Sequence, residues 1–222
     1  MINLTKQNHV NILTMDSENA NAVDFEFLAA MHKALDAIEA DGEGHGALVL
    51  TGAGKAFSTG LNLPVVSGFS TEQFKQLDTE LKKLYGRLVN FPLPTVAAIN
   101  GHAFAAGAIL AMSCDFRVMR EDRGWFCMSE VDVGVPIGLE VMAVAKDKLA
   151  PSVIRDMILT GKRFSGQDCV ASGIAESACS EDNLLNSAIE IAASLAEKER
   201  GIFKSLKSTL YSEMAANLGV SS

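Results

Sequence analysis

Two stretches of very small residues and one carboxylate carry the chemistry available to this chain. The first stretch, Ile99 to Asp115 (INGHAFAAGAILAMSCD), leaves an apolar strand, turns at Asn100-Gly101 and passes through Ala103, Ala105, Ala106, Gly107 and Ala108. It then enters a helix-like apolar block, Ile109 to Met112. Side chains this small let a ligand or another backbone come close, and the free N–H groups at a helix start suit an anion or a developing oxyanion. The same residues also suit a buried helix that packs tightly. The second stretch is Thr51 to Leu63 (TGAGKAFSTGLNL). Each stretch follows a short buried-type strand, Leu48-Val49-Leu50 or Val96 to Ile99, and in open α/β sheets ligands gather at the carboxyl ends of strands. Side by side, the two loops could each offer one N–H to the same carbonyl oxygen, stabilising an enolate while a nearby carboxylate moves the proton. The strongest candidate for that carboxylate is Glu130, in CMSEVDVG, whose apolar flanks would desolvate it and raise its pKa. The competing reading of Glu130 is a cap or ion pair at a helix end.

Other motif readings fail. Gly52-Ala53-Gly54-Lys55 lacks the Ser or Thr that follows the lysine of a phosphate loop, because Ala56 stands there. No G-x-G-x-x-G follows the first strand. Ala56-Phe57-Ser58-Thr59-Gly60 lacks the first glycine of a nucleophile elbow, leaving Ser58, served by His102, as a minor hydrolase candidate. His9, His32, His45 and His102 show no metal-ligand spacing; His32 is expected on a packed helix face, His9 and His45 in turns or solvent. Cys114, Cys127, Cys169 and Cys179 form no C-x-x-C pair and read as reduced, packed thiols.

A chain of 222 residues fits one domain, or one with a small appendage, and its 48% hydrophobic and 21% charged residues are ordinary for a soluble globular protein. A net charge of −8 argues against a nucleic-acid partner, though a few local Lys or Arg residues would suffice for a small anion. The start, MINLTKQNHV, does not read as a signal peptide, Ser221-Ser222 matches no targeting tripeptide, and no run reaches the roughly 18 apolar residues of a membrane span. A cytoplasmic protein is the expectation.

The elements that must position these residues alternate between the two regular periods. Residues 8–15 suggest a strand and Asp16 to Asn19 a turn; Asp24 is placed to cap a helix over 25–40, ended by Asp41-Gly42-Glu43-Gly44. A strand over 47–50, a helix over about 71–89 broken by Pro92 and Pro94, and strands over 95–99, 116–119 and 125–128 follow. Helices are expected over 139–148, 151–160, 165–172, 181–199 and 201–217, with Ser165 and Ser180 as caps. The strand–helix–strand order predicts an α/β fold with crossover connections.

At these residues the sequence resembles the crotonase superfamily, also called the enoyl-CoA hydratase/isomerase family. Gly54 to Leu63 is similar to the family's K-A-F-[SC]-A-G-x-D-[IL], and Ile99 to Asp115 to its [IV]-N-G-x-A-x-G-G-G-x-x-L-A-x-x-C-D. Met128 to Pro136 resembles P-E-x-x-x-G-x-x-P, and Leu159 to Ser165 with Asp168, Ala171 and Gly173 resembles a later L-T-G block. The resemblance implies the ββα spiral of the ClpP-like crotonase fold. Residues 1–140 would form the core with the acyl-CoA site. Residues 141–222 would form a mainly helical subdomain that supports a homotrimer or a dimer of trimers. It further implies an acyl-CoA thioester as partner, with coenzyme A part of the substrate and no separate cofactor. The thioester carbonyl would sit between the N–H groups of Leu61 and Ala106. Lys55, Ala56, Ser58, Thr59, Gly60, Asn62, Ala105 and Gly107 would line the substrate.

The departures from the family pattern bear on the activity. Hydratases of the family use two glutamates, and the position of one is occupied here by Ile109; the other matches Glu130. A single carboxylate suits a proton shuttle, and Ser129 to Gly134, with Met119-Arg120-x-Asp122-Arg123-Gly124 before it, resembles Δ3,Δ2-enoyl-CoA isomerases. Asn62 replaces the usual Asp and Ala105-Ala106 the usual Gly-Gly. The N-R-P block that often supplies a basic residue for the CoA phosphates appears only as Asp16 to Ala22, which leaves Lys55 as a substitute. Glu140 could be a second acid or a surface residue of its helix. The alternatives are hydration through Glu140, decarboxylation on the same enolate, or an acyl-CoA binding protein without turnover.

Overall fold

The computed structural model describes residues 1–41 and 45–219; Gly42, Glu43 and Gly44, expected to end the first helix, and the terminal Ser221-Ser222 lie outside them. Its strands are β1 (Ile2–Gln7), β2 (Val10–Met15), β3 (Ala47–Gly52), β4 (Ala56–Ser58), β5 (Thr95–Ile99), β6 (His102–Phe104), β7 (Phe116–Arg120), β8 (Phe126–Cys127) and β9 (Ser177–Cys179). Its helices are α1 (Phe25–Ala40), α2 (Leu63–Val66), α3 (Thr71–Val89), α4 (Ala106–Met112), α5 (Glu130–Val133), α6 (Leu139–Lys148), α7 (Pro151–Thr160), α8 (Gly166–Ala171), α9 (Glu181–Ala196), α10 (Arg200–Leu210) and α11 (Ser212–Asn217).

After β1 pairs antiparallel with β2, every further pairing between these strands is parallel. The chain then repeats one unit: a strand of a large sheet, a strand of a small sheet, and a helix. β3-β4, β5-β6 and β7-β8 each step from the six-stranded sheet, order β1-β2-β3-β5-β7-β9, to the three-stranded sheet, order β4-β6-β8. This is a ββα spiral, and it places the ends of β4, β6 and β8 side by side.

The period of two within the large sheet divides its side chains between two cores. Leu13, Met15, Leu48, Leu50, Ala97 and Ile99 join a cluster with α1, α3, α4 and α6. The alternating Val10, Ile12, Ala47, Val49, Val96 and Ala98 pack against Leu184, Ala188, Ala192 and Ala196 of α9. The small side chains repeat every fourth residue, so α9 lies close on the sheet.

Most long elements fall where the sequence puts them, and Asp24 and Ser165 both cap, each accepting a backbone N–H. The strand expected over 8–15 is β2, which starts at Val10, and the unexpected β1 precedes it, joined by a tight turn in which Asn8 takes a positive φ of 55°. The helix expected over 201–217 breaks at Tyr211, and that expected over 181–199 ends at Ala196. Ser180 holds the N-cap position of α9 without a side-chain bond to the helix backbone. His9 lies in the β1–β2 turn and His45 in a bend, as expected, and their ring nitrogens lie 3.1 Å apart. Among the described residues no group of three metal-ligating side chains gathers, no helix is long and apolar enough to cross a membrane, and all four cysteines are free.

Candidate active site

The small sheet assembles the three sequence features at one edge. Just beyond the end of β4 lie Gly60 and Leu61, beyond β6 lie Ala105 and Ala106, and beyond β8 lie Ser129 and Glu130. β6 is the middle strand, so the Ala106 turn stands between the other two. Gly60, with a φ of 87°, draws the first two loops together. A Cβ there would lie 3.0 Å from the Phe104 carbonyl oxygen, 3.3 Å from the Ala105 Cβ and 3.6 Å from the Ala106 nitrogen. The loops are in contact because residue 60 has no side chain.

At this contact two peptide N–H groups are left over. Val23 and Asn62 make the flanking backbone bonds, Val23 N–H to the Gly60 carbonyl and Asn62 N–H to the Val23 carbonyl, and Leu61 N–H donates to no acceptor among the described residues. Ala106 opens α4, where no intrahelical acceptor exists for its N–H, and it too has no partner among the described residues. The preceding Ala105 holds φ 48° and ψ −117°, a conformation costing an L-residue about 1–3 kcal/mol. Ala105 N–H bonds the Cys127 carbonyl at 2.9 Å, which ties this turn to the strand leading to Glu130. Since α4 has seven residues, the feature it contributes is one oriented N–H rather than the dipole of a long helix.

Glu130 begins α5 half-buried, and its Oε2 is fully buried without a hydrogen-bond partner among the described residues. Burial raises its pKa above the usual carboxylate range, the bond to its own backbone N–H opposing only in part. Among the described residues Glu130 makes no ion pair, and at the helix end its carboxylate meets its own backbone N–H. Glu140 is the opposite case: 40% exposed, 3.3 Å from the Lys82 ammonium, and held below the usual range by its own backbone N–H and by Lys82. Ile109 is buried in the core, one turn into α4. Sequence reasoning missed Tyr85 of α3, whose hydroxyl donates to the Ala106 carbonyl at 3.0 Å. Its position in an amphipathic helix looks like any other core position.

The remaining sequence candidates divide by place. Thr59, Leu61 and Asn62 line a cavity of about 330 Å³ with Asn19, Ala22, Leu63 and Pro64. A neighbouring cavity of about 550 Å³ is lined by Asp16, Glu18, Asp24 and Glu26, carboxylates that repel phosphate. Asn62 is buried and donates to Asp24 Oδ2 at 2.7 Å, while Asp24 caps α1 through its other oxygen, accepting Phe27 N–H, so the side chain of Asn62 anchors the loop. Lys55 is exposed and Ala56 buried at the far end of β4 from Gly60. Gly107 lets α4 touch β4, since a Cβ there would come within 2.5 Å of the Ser58 carbonyl oxygen.

Ser58 is not placed as a nucleophile. It is wholly buried, donates to the Asn21 carbonyl at 2.7 Å rather than to His102, and accepts Gly60 N–H at 3.3 Å. Ser58→Ala is expected to lose about 1–3 kcal/mol of stability by leaving those groups unpaired, read by chemical denaturation. Hydrolase-directed probes should label neither form of the protein.

Comparisons with known proteins agree with this fold. The family model described as Enoyl-CoA hydratase/isomerase matches residues 5–220. Enoyl-CoA delta isomerase 3 of Arabidopsis thaliana is 30% identical, the match covering 96% of this chain and 93% of the relative. Enoyl-CoA delta isomerase 2, peroxisomal, of the same plant is 31% identical over 99% of this chain and 96% of its own. Among solved structures, an enoyl-CoA hydratase of Mycobacterium ulcerans Agy99 superposes with a TM-score of 0.92 at 27% identity, covering 98% of this chain and 94% of that one. A spiral that sets two free N–H groups beside a desolvated glutamate, matched along nearly its whole length, identifies the chain as a member of the enoyl-CoA hydratase/isomerase family, with the crotonase fold.

Proposed function

We propose that the protein moves the double bond of a 3-enoyl-CoA to the 2-position. Glu130 removes a proton from C2, the N–H groups of Leu61 and Ala106 hold the oxygen of the dienolate, and Glu130 returns the proton at C4. A donor of this kind contributes about 10²–10³ in rate when it is aimed at the charge that develops. A base of raised pKa lies nearer to neutrality, where proton transfer in both directions is efficient. One observation carries the reading: Glu130 is a single desolvated carboxylate at the site, and the position of a second one is the buried, apolar Ile109. The relatives named delta isomerases support it.

Hydration is the second reading, favoured by the likeness to a structure named a hydratase. It needs a second carboxylate to activate water, and Glu140 is the candidate. The Lys82 contact and the exposure of Glu140 speak against that role. Coenzyme A is proposed to arrive as part of the substrate, along the loop from Lys55 to Asn62. A crystal structure with a saturated acyl-CoA tests the geometry. The thioester oxygen should lie within hydrogen-bond distance of the Leu61 and Ala106 nitrogens, with Glu130 facing both C2 and C4. A thioester bound elsewhere, or a Glu130 turned away from both carbons, would overturn the reading.

A further inference from the structure

Leu77, Leu81, Leu84, Tyr85 and Leu88 of α3 form an ordinary buried stripe, and Tyr85 differs from the others in carrying a hydroxyl. A buried hydroxyl needs an acceptor. Tyr85 takes the carbonyl of Ala106, the residue whose N–H is one of the two unpartnered donors. As the first residue of α4, Ala106 can already offer its carbonyl to the N–H four residues on, so the tyrosine adds a restraint to a carbonyl the helix can satisfy.

That restraint falls on a strained turn. Ala105 sits at φ 48°, and such a conformation persists only where its surroundings over-determine it. Three bonds hold this turn: Ala105 N–H to the Cys127 carbonyl, Ile109 N–H to the Ala105 carbonyl, and Tyr85 Oη–H to the Ala106 carbonyl. The first two are backbone bonds of the sheet edge and of the helix itself. The third is a side-chain bond from a separate element, α3, and it grips the residue immediately after the strained one.

We infer that Tyr85 is a positioning residue for the oxyanion site: its hydroxyl clamps the first turn of α4 so that the Ala106 N–H stays aimed at the thioester oxygen. This rests on the reading of Ala106 as an oxyanion donor. Burial, and then the nearby Glu130 charge, keep the phenol protonated, so it remains a donor throughout the working pH range.

Tyr85→Phe keeps the ring and removes the clamp. It should lower kcat for 3-enoyl-CoA isomerisation by about 3- to 10-fold, the worth of one neutral hydrogen bond. KM should stay within about 2-fold, because the nucleotide part of the substrate is held elsewhere. Infrared spectra of a bound saturated acyl-CoA, isotope-labelled at its thioester carbonyl, give the direct readout. In the wild type the carbonyl stretch should move to lower frequency on binding, and in Tyr85→Phe it should move less. An unchanged stretch and kcat would overturn the inference, as would a lowered melting temperature with kcat intact, the mark of a packing role. Absence of the shift in the wild type would instead remove the oxyanion reading beneath it, an outcome distinct from failure at Tyr85 alone.

Discussion

Glu130→Gln should lower isomerase turnover by about 10²–10⁴-fold, the usual worth of a positioned general acid–base, while leaving the fold at least as stable as before. Both effects come from one fact, the burial of a carboxylate oxygen without a partner. Glutamine has nearly the same shape and cannot take up the C2 proton. Its effect on stability follows from the direction of the pKa shift. Burial raises the folded-state pKa of Glu130 above its unfolded value, so folding opposes ionisation. The folded state is relatively favoured while the group is protonated. That advantage is lost as pH rises from the ordinary carboxylate range through the raised value. Glu130→Gln removes this loss, so unfolding curves of variant and wild type should converge under acid and separate at neutral pH in favour of the variant. The kcat–pH profile of the wild type should rise with an inflection above the ordinary carboxylate range. A variant with wild-type turnover, or one markedly less stable at neutral pH, would contradict this account of the residue.

Lys207→Met should cost about 3–5 kcal/mol of stability, the penalty for stripping one partner from a buried ion pair. Lys207 of α10 and Asp115, at the head of β7, are 4% and 6% exposed and 2.8 Å apart. The same Asp115 oxygen accepts Thr95 N–H and the Thr95 hydroxyl, so three donors from α10 and β5 meet at one carboxylate of the α4–β7 connection. Without the lysine, a buried carboxylate is left with neutral donors only. Asp115→Asn should cost a similar amount, and the double variant less than the sum, because the second change no longer strands a charge. Denaturant midpoints of the four proteins make that cycle measurable. The consequence reaches the site through packing: α10 leads into α11, whose Met214 and Ala215 are buried, and α11 packs on α6, which in turn packs on α4. Additive losses in the cycle would show that the pair is not coupled.

How much of this could be read in the sequence depended on length and period. α1, α3, α6 and α7 have the bounds that apolar spacing and prolines gave, and α1 has the Asp24 cap. These elements are long enough for local preference and burial to agree. β4 and β6 have three residues each and lie inside glycine- and alanine-rich loops; they are strands because they pair with each other and with β8, a tertiary fact that no local pattern records. β1 was missed for a different reason, since its apolar alternation stops after Ile2 and Leu4 and its residues from Asn3 onward are exposed at the sheet edge. The chemistry at the strand ends was easier to read than the strands themselves. Small residues at 60 and 105–107 and apolar flanks around Glu130 imply close approach and desolvation directly. Tyr85, spaced as one more core position, and Asn62, whose partner Asp24 lies 38 residues away, could be assigned only from their contacts.

The central claim is that one carboxylate serves this site and that it shuttles a proton without activating water. Mass spectrometry and ultraviolet absorbance on a single preparation, supplied first with a 3-enoyl-CoA and then with a 2-enoyl-CoA, test it most directly. The account predicts that the first substrate becomes the conjugated 2-enoyl thioester with no change of mass, and that the second stays unhydrated over the same period. Rapid gain of one water by the 2-enoyl-CoA, with no shift of the 3-enoyl double bond, would contradict it.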